Sequence, residues 1–399
     1  MKKTLFKLFA LALVLTLANA CNDALVPDGV EESIELKSAN SALKSYIVVL
    51  QDADLNLELT KLKGYEKKQL AVRSASEKII QRTGVSGAEI TFTYGTAVKG
   101  FAVKMAPGQL KKLESDPSVK YINEDQVITL VQPYVKTKVK PAPQPTAEVT
   151  PWGIARVNGG VTYTGNNKIW IIDTGIDLDH PDLNVDLVNG WNFVANTQVA
   201  DDDNGHGSHC AGTAAAIDNS EGVIGVAAGA TVVPVKVLNR RGSGSYSAII
   251  AGVDWVADHA AIGDVANMSL GGGYDATLNS AVETAAALGI KFSLAAGNES
   301  TDANTKSPAS ANGANIYTIS ASDVNDNWAY FSNYGNPPVD FCEPGYSIYS
   351  TYKGGGYTTM SGTSMAAPHA AGILLLGNIK PDGTVNGDPD GNPDTIGVH

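Results

Sequence analysis

The chain has 399 residues, 43% apolar and 18% charged, with a formal net charge of −12. That composition excludes a disordered chain or a coiled coil, the length allows two or three domains, and the acidity argues against a nucleic-acid partner. The charge is divided: residues 1–145 hold 20 Lys+Arg and 15 Asp+Glu, a net of +5, whereas residues 146–399 hold 9 and 26, a net of −17. A basic N-terminal part and an acidic C-terminal part attract each other, as in a pair built to dock.

In chain order, Lys2, Lys3 and Lys7 accompany the apolar run Leu5 to Leu17, which is too short to span a bilayer, and Ala18-Asn19-Ala20 supplies small residues. Residues 1–20 therefore read as a signal peptide and the protein as secreted. Cys21 follows at once, so a lipid anchor there at a bacterial envelope is the alternative. Residues 21–44 read as a flexible lead. Residues 45–130 read as a small α+β domain: strands at Tyr46–Leu50, Phe101–Met105 and Lys120–Ile122, helices over 66–82 and 108–115. Its roughly 85 residues make a marginal core. Residues 131–147, with Pro133, Pro141, Pro143 and Pro145 among lysines, read as an extended linker.

From Trp152 the pattern changes. Apolar runs at 169–172, 232–238, 265–270, 292–296 and 316–319 alternate with helical patterns at 207–217, 245–260, 276–289 and 364–376. Near-continuous apolar strands between helices predict a parallel sheet covered on both faces, with its site at the strand C-terminal ends. Four groups fall there: Asp173 in I-I-D-T-G, His206 in N-G-H-G-S-H, Asn298 in A-A-G-N, and Ser364 in G-T-S-M-A-A-P. Singly, each has an ordinary reading as a cap, loop residue or turn former. Together they supply acid, base, nucleophile and oxyanion donor for acyl transfer, and Asp-His-Ser is one of the known triad orders.

These segments resemble the subtilisin family of serine proteases, its proteinase K branch in particular. The resemblance runs from about Trp152 to Leu376 and is carried by D-T-G-I-D, N-G-H-G-S-H-C-A-G-T, N-M-S-L-G-G-G, A-A-G-N, S-P-A-S, F-S-N-Y-G and G-T-S-M-A-A-P-H. It implies a subtilisin-like three-layer α/β fold over 148–378, preceded by a small α+β propeptide domain over 45–130 that acts as chaperone and intramolecular inhibitor. It also implies a zymogen of broad endopeptidase specificity, acting on polypeptide substrates and processed between Leu130 and Glu148. Ser364 would be the nucleophile, His206 the base, Asp173 its orienting acid and Asn298 an oxyanion donor. The alternative from another class is a non-catalytic subtilisin-fold binding module on the cell surface.

The same resemblance assigns the walls of the primary specificity pocket to Ser269, Leu270, Gly271 and Gly272 on one side and Ala295, Ala296 and Gly297 on the other. Lys306 falls at its base, where it favours acidic side chains or else points into water. Structural calcium is implied, held by Glu148, Asp182, Asn219 and the carbonyls of Ile217, Glu221 and Val223, with Asp340 at a second site. Because Glu148 follows the linker, tight calcium binding is expected only after processing. Asp201-Asp202-Asp203 reads as a solvated acidic run, with a third cation site as the alternative. Cys210 and Cys342 are expected to be free and buried. Residues 379–399, rich in Gly, Asp and Pro, read as a tail outside the fold, disordered or cation-binding.

Overall fold

The computed structural model describes residues 43–51, 53–130 and 147–399. The predicted signal peptide, Cys21, most of the predicted lead and nearly all of the predicted linker, where processing is expected, lie outside the described residues.

The first domain is a four-stranded antiparallel sheet in the order β2-β3-β1-β4. Its elements are β1 Lys44–Leu50, α1 Ala53–Lys61, α2 Tyr65–Arg82, β2 Glu89–Tyr94, β3 Gly100–Met105, α3 Leu110–Glu114 and β4 Val119–Glu124, followed by the short strand β5 Val127–Thr129. Strand side chains alternate between faces, and β1 shows why that matters. Tyr46, Val48 and Leu50 pack with Leu55, Val72, Ile79 and Phe101 in the domain's own core. Ile47 and Val49, on the other face, share a core with Tyr246, Ile249, Val253 and Leu278 of the second domain. One face of β1 is thus covered in part by the second domain. The sequence reading found β1, α2, β3, α3 and the position of β4; it missed α1, β2 and β5.

The second domain is built on a largely parallel sheet. Its elements include α4 Trp152–Arg156, β6 Ile169–Asp173, α5 His206–Ala215, β7 Thr231–Lys236, β8 Ser243–Ser245, α6 Tyr246–His259, β9 Val265–Met268, α7 Ala276–Ala287, β10 Lys291–Ala295, β11 Ile316–Ser322, β12 Val339–Pro344, β13 Ile348–Tyr352, β14 Gly356–Met360, α8 Thr363–Leu376, β15 Lys380–Thr384 and β16 Thr395–Val398. The sheet runs β15-β16-β12-β11-β10-β9-β6-β7, with short strands at 184–185 and 191–192 beyond β7. Every residue of β6 is buried, as a strand covered on both faces requires. Helix α8 is apolar almost all round and buried through Leu375, the signature of a helix inside the body.

The last segment corrects the sequence reading. Residues 380–398 are not a loose tail: β16 pairs parallel with β12 at Cys342↔Ile396 and antiparallel with β15. Ile396 and Val398 are buried, and Asp394, 2% exposed, accepts a 2.5 Å hydrogen bond from Ser320 Oγ. Arg156 ties the segment further through Asp326 and Asp382.

Candidate active site

Asp173 ends β6, and His206 opens α5 after Gly205, whose φ of 112° suits glycine. A side chain at 205 would strike the Tyr352 ring, and one at 207 the Gly175 carbonyl. The glycines around His206 therefore let α5 pack closely onto β13 and the 173–175 turn. The His206 Nδ1–H donates to both Asp173 oxygens, at 2.8 and 2.9 Å, with both residues buried. Burial pulls the imidazole pKa down, but the charge and hydrogen bond of Asp173, with the charge of Asp202, outweigh it and leave it raised. His206 Nε2 is buried and has no hydrogen-bond partner among the described residues.

Ser364 lies in the first turn of α8, 5% exposed. Its hydroxyl donates to the Ser269 carbonyl at 3.0 Å, and its own carbonyl accepts from Ser269 Oγ at 2.8 Å and from Cys210 Sγ at 3.4 Å. Cys210 thus bridges the two halves of the site: its sulfur, an Asp173 oxygen and a His206 nitrogen lie within 4.8 Å of one another. Cys210 and Cys342 are free and buried, and burial pushes both thiols well up. Asn298 accepts from the Thr363 N–H at 2.8 Å and Thr363 Oγ1 at 3.0 Å through Oδ1. Those bonds orient its amide beside Gly362 at the start of α8.

One pocket joins Asn298 and Ser364 to Leu270, Gly271, Gly272, Ala295, Ala296, Gly297 and Lys306. Ser269 lies buried behind it, bonded to Asn267. The pocket residue Glu299 and its support Asn333 escaped the sequence reading. Glu299 pairs with Lys306 at 3.3 Å, and Asn333 Nδ2 holds Glu299 at 2.8 Å. Lys306 therefore faces a fixed carboxylate, not water alone.

The first domain enters this site as an added strand. β5 pairs antiparallel with β8 at Ser243↔Thr129, Gly244↔Ile128 and Ser245↔Val127, and the Leu130 N–H donates to Gly242 O at 2.9 Å. Ile128, 5% exposed, sits against Gly272 and Tyr246, and Leu130 reaches the pocket rim. This is the geometry of an extended peptide paired strand to strand with the enzyme, here as a two-stranded antiparallel ribbon. Farther back, Asp254 on α6 accepts from Gly95, Thr96 and Ala97 N–H at 3.1, 2.7 and 2.7 Å and from Gln69 Nε2 at 2.9 Å. Lys68 pairs with Asp258 at 2.6 Å, the opposite charges expected of the two halves.

The predicted calcium loop also gathers. Asp182 accepts from Asn219 Nδ2 at 2.7 Å, Val223 N–H at 2.9 Å and the Tyr357 hydroxyl at 3.2 Å. Glu148 accepts from the Asn219 N–H at 2.6 Å. Ile217 O and Glu221 N–H both bond the Asn219 side chain. Asp340 lies apart, accepting from the Thr318 N–H at 2.9 Å.

A parallel sheet carrying an Asp–His pair, a serine opening a helix and an amide beside it, with a domain strand lying in the substrate cleft, defines a serine peptidase held by its own inhibitor. Comparison with known proteins gives the family. The "Subtilase family" matches residues 165–380 and "Peptidase inhibitor I9" residues 45–131. Alkaline serine exoprotease A of Vibrio alginolyticus is 36% identical over 367 residues, spanning 88% of this chain and 66% of that protein. Subtilisin-like protease 5 of Arthroderma benhamiae (strain ATCC MYA-4681 / CBS 112371) is 36% identical over 380 residues, 92% of this chain and 86% of that one. The solved structure of a cold adapted subtilisin-like serine proteinase is 35% identical with a TM-score of 0.54, covering 61% of this chain and 96% of its own. The chain belongs to the subtilase family and is a subtilisin-like serine endopeptidase made as a zymogen with an inhibitory propeptide.

Proposed function

We propose that Ser364, His206, Asp173 and Asn298 carry out peptide-bond hydrolysis, and that the observation carrying this is the Asp173-bound imidazole, its Nε2 buried and unpartnered among the described residues, joined to Ser364 through Cys210. Ser364 Oγ leaves the Ser269 carbonyl, attacks the scissile carbonyl carbon and gives its proton to His206 Nε2. The oxyanion takes hydrogen bonds from Asn298 Nδ2 and the Ser364 N–H, and the N-terminal end of α8 favours the negative charge. His206 then passes the proton to the leaving amine, and water, deprotonated by the same imidazole, releases the acyl group. Asp173 holds the tautomer and stabilises the imidazolium. The absent Ser364–His206 bond agrees with sites that tighten only around substrate.

The enzyme is exported by residues 1–20 and acts outside the cell. The intact mass of the secreted protein separates plain secretion from acylation at Cys21. Processing falls between Leu130 and Glu148. The Asp182–Asn219–Glu148 loop fits calcium: two carboxylates, backbone carbonyls and an amide form an all-oxygen set, and a turn of the Asn219 amide brings its oxygen toward Asp182. Calcium there would fasten Glu148, and with it the start of the mature chain, to the body. Asp340, with one backbone N–H on its carboxylate, is the weaker second site.

A fluorophosphonate should label the wild-type protein and fail on Ser364→Ala. Equal labelling of both would remove Ser364 as nucleophile; no labelling of matured wild-type protein would favour a binding module.

A further inference from the structure

Asp202 sits in the acidic run that the sequence presents as solvated, yet it is 5% exposed. Its Oδ1 accepts from Thr174 Oγ1 at 2.9 Å, Asn204 N–H at 2.9 Å and Gly205 N–H at 2.8 Å. Its Oδ2 accepts from Ser208 N–H at 2.9 Å and Ser208 Oγ at 2.6 Å. One buried side chain thus takes five donors and gives none, the pattern of an ionised carboxylate. The donors come from two places. Thr174 follows the acid Asp173, whereas Asn204, Gly205 and Ser208 flank His206. Thr174 Oγ1 also accepts from the Gly207 N–H at 2.9 Å, closing the loop between the two segments.

We propose that Asp202 is a positioning residue for the hydrolysis: it clamps the Asp173 strand end to the His206 helix and adds a second negative charge behind the imidazole. This rests on the triad reading above. A buried charge so fully hydrogen-bonded is costly to disturb, and a small misplacement of a base costs rate steeply.

The other charged and titratable groups around His206 do not substitute for it. Asp173 bonds Nδ1 from β6. Lys236 on β7 is spent on the Thr174 carbonyl and on Asp203 at 2.7 Å. Lys353, next to β13, donates to the Asp203 carbonyl, and the Tyr352 hydroxyl to that of Asn204. His209 and His369, on α5 and α8, are held neutral by burial, down to about 3 and about 4. The Cys210 thiol is held neutral by burial too. Asp202 is therefore, with Asp173, the charge that sustains the imidazolium, consistent with its contribution to the raised His206 pKa.

The test uses the full chain, self-processed, with active sites counted by fluorophosphonate and a chromogenic peptide assayed across pH. In Asp202→Asn, kcat per active site should fall at least about tenfold with KM nearly unchanged. The acid limb of kcat/KM should move about half a unit to one unit lower, because the imidazolium loses a stabilising charge. Thr174→Val keeps the charge but cuts the clamp: kcat should fall with the acid limb unmoved. A purely structural role would lower the yield of active sites and leave both readouts as in wild type, which overturns the proposal; so would an unaltered kcat in Thr174→Val. Should Asp202→Asn not mature, histidine NMR titration decides, comparing the Ser364→Ala zymogen with and without the substitution. Identical His206 titration in the two overturns the proposal, and a lower pKa supports it. Wild-type protein that resists labelling sinks the triad reading instead, a distinct outcome.

Discussion

The inhibitor sheet and the catalytic sheet solve burial in opposite ways. In the catalytic domain, β6 is buried on both faces by elements of its own body, and α5 and α8 are buried along nearly their whole length. In the inhibitor domain, one face of β1 packs on its own helices while Ile47 and Val49 are covered by α6 and α7 of the partner domain. One sheet is self-sufficient; the other borrows part of the cover of one face. Released, the inhibitor exposes apolar strand surface and loses stabilisation of about 25 cal/mol for each Å² uncovered. A domain that inhibits while docked and is fragile once detached is what a disposable inhibitor needs.

The comparison breaks most sharply at Asn298. Asn298→Ala acts on the catalytic body alone, so kcat should fall about 100- to 1000-fold, the range known from the same change in a subtilisin itself and carried over on that basis. Docking of the inhibitor should be unaffected, read as unchanged co-purification with the processed enzyme. Asp254→Ala is the converse. It strips the acceptor from three backbone N–H groups of residues 95–97. Inhibition should weaken about 100-fold, since leaving buried donors unpaired costs roughly 1–3 kcal/mol each and part is recovered by water. The lag before the secreted protein becomes active should shorten, with kcat unchanged. An unaltered lag would mean that β5 alone holds the inhibitor.

Smaller effects sharpen the picture of the catalytic side. Glu299 keeps Lys306 paired at the pocket. Glu299→Gln frees that ammonium, so cleavage after Glu should gain about tenfold over cleavage after Ala, a value of about 1.4 kcal/mol for a partly exposed charge. A peptide-library profile with no such gain would place Lys306 outside substrate reach. Glu343 is the smallest in rate and the clearest in pH. It is fully buried, neither oxygen has a hydrogen-bond partner among the described residues, and burial pushes its pKa well above the ordinary range despite Arg156. Raised in the fold, it stays protonated while the unfolded chain ionises. Stability is therefore complete below the unfolded pKa and is lost as pH rises toward the folded one. Glu343→Gln in the Ser364→Ala protein should flatten that decline, seen as a higher urea midpoint at alkaline pH and little change in acid. Parallel curves for the two proteins would show that Glu343 ionises without cost.

Much of this was legible in the residues themselves. The alternating strand–helix pattern announced the parallel sheet, and Asp173, His206, Asn298 and Ser364 stood in local motifs whose glycines and helix starts are dictated by short-range backbone geometry. Glu148, Asp182, Ile217, Asn219 and Val223, which the resemblance in motif spacing had singled out, lie in one hydrogen-bonded cluster although Glu148 and Asp182 are far from Asn219 in the chain. What the reading missed depended on partners far along the chain. Asp202 looked like one of three solvated acids until Thr174 and Ser208 closed on it. Glu299 meant nothing before the loop folded Lys306 onto it and Asn333, far along the chain, closed behind it. Residues 380–398 looked like spacer because Gly, Asp and Pro speak of turns and say nothing of a strand edge on β12 waiting to be paired.

The residue order by itself determined the family, the chemistry and the division into an inhibitor and an enzyme, since period, turn residues and motif spacing act over a few residues. Only the tertiary structure decided which acids are buried, which face of β1 needs a partner, and that the last strand completes the sheet. Burial and charge pairing are properties of distant segments brought together, and no short stretch of sequence contains them.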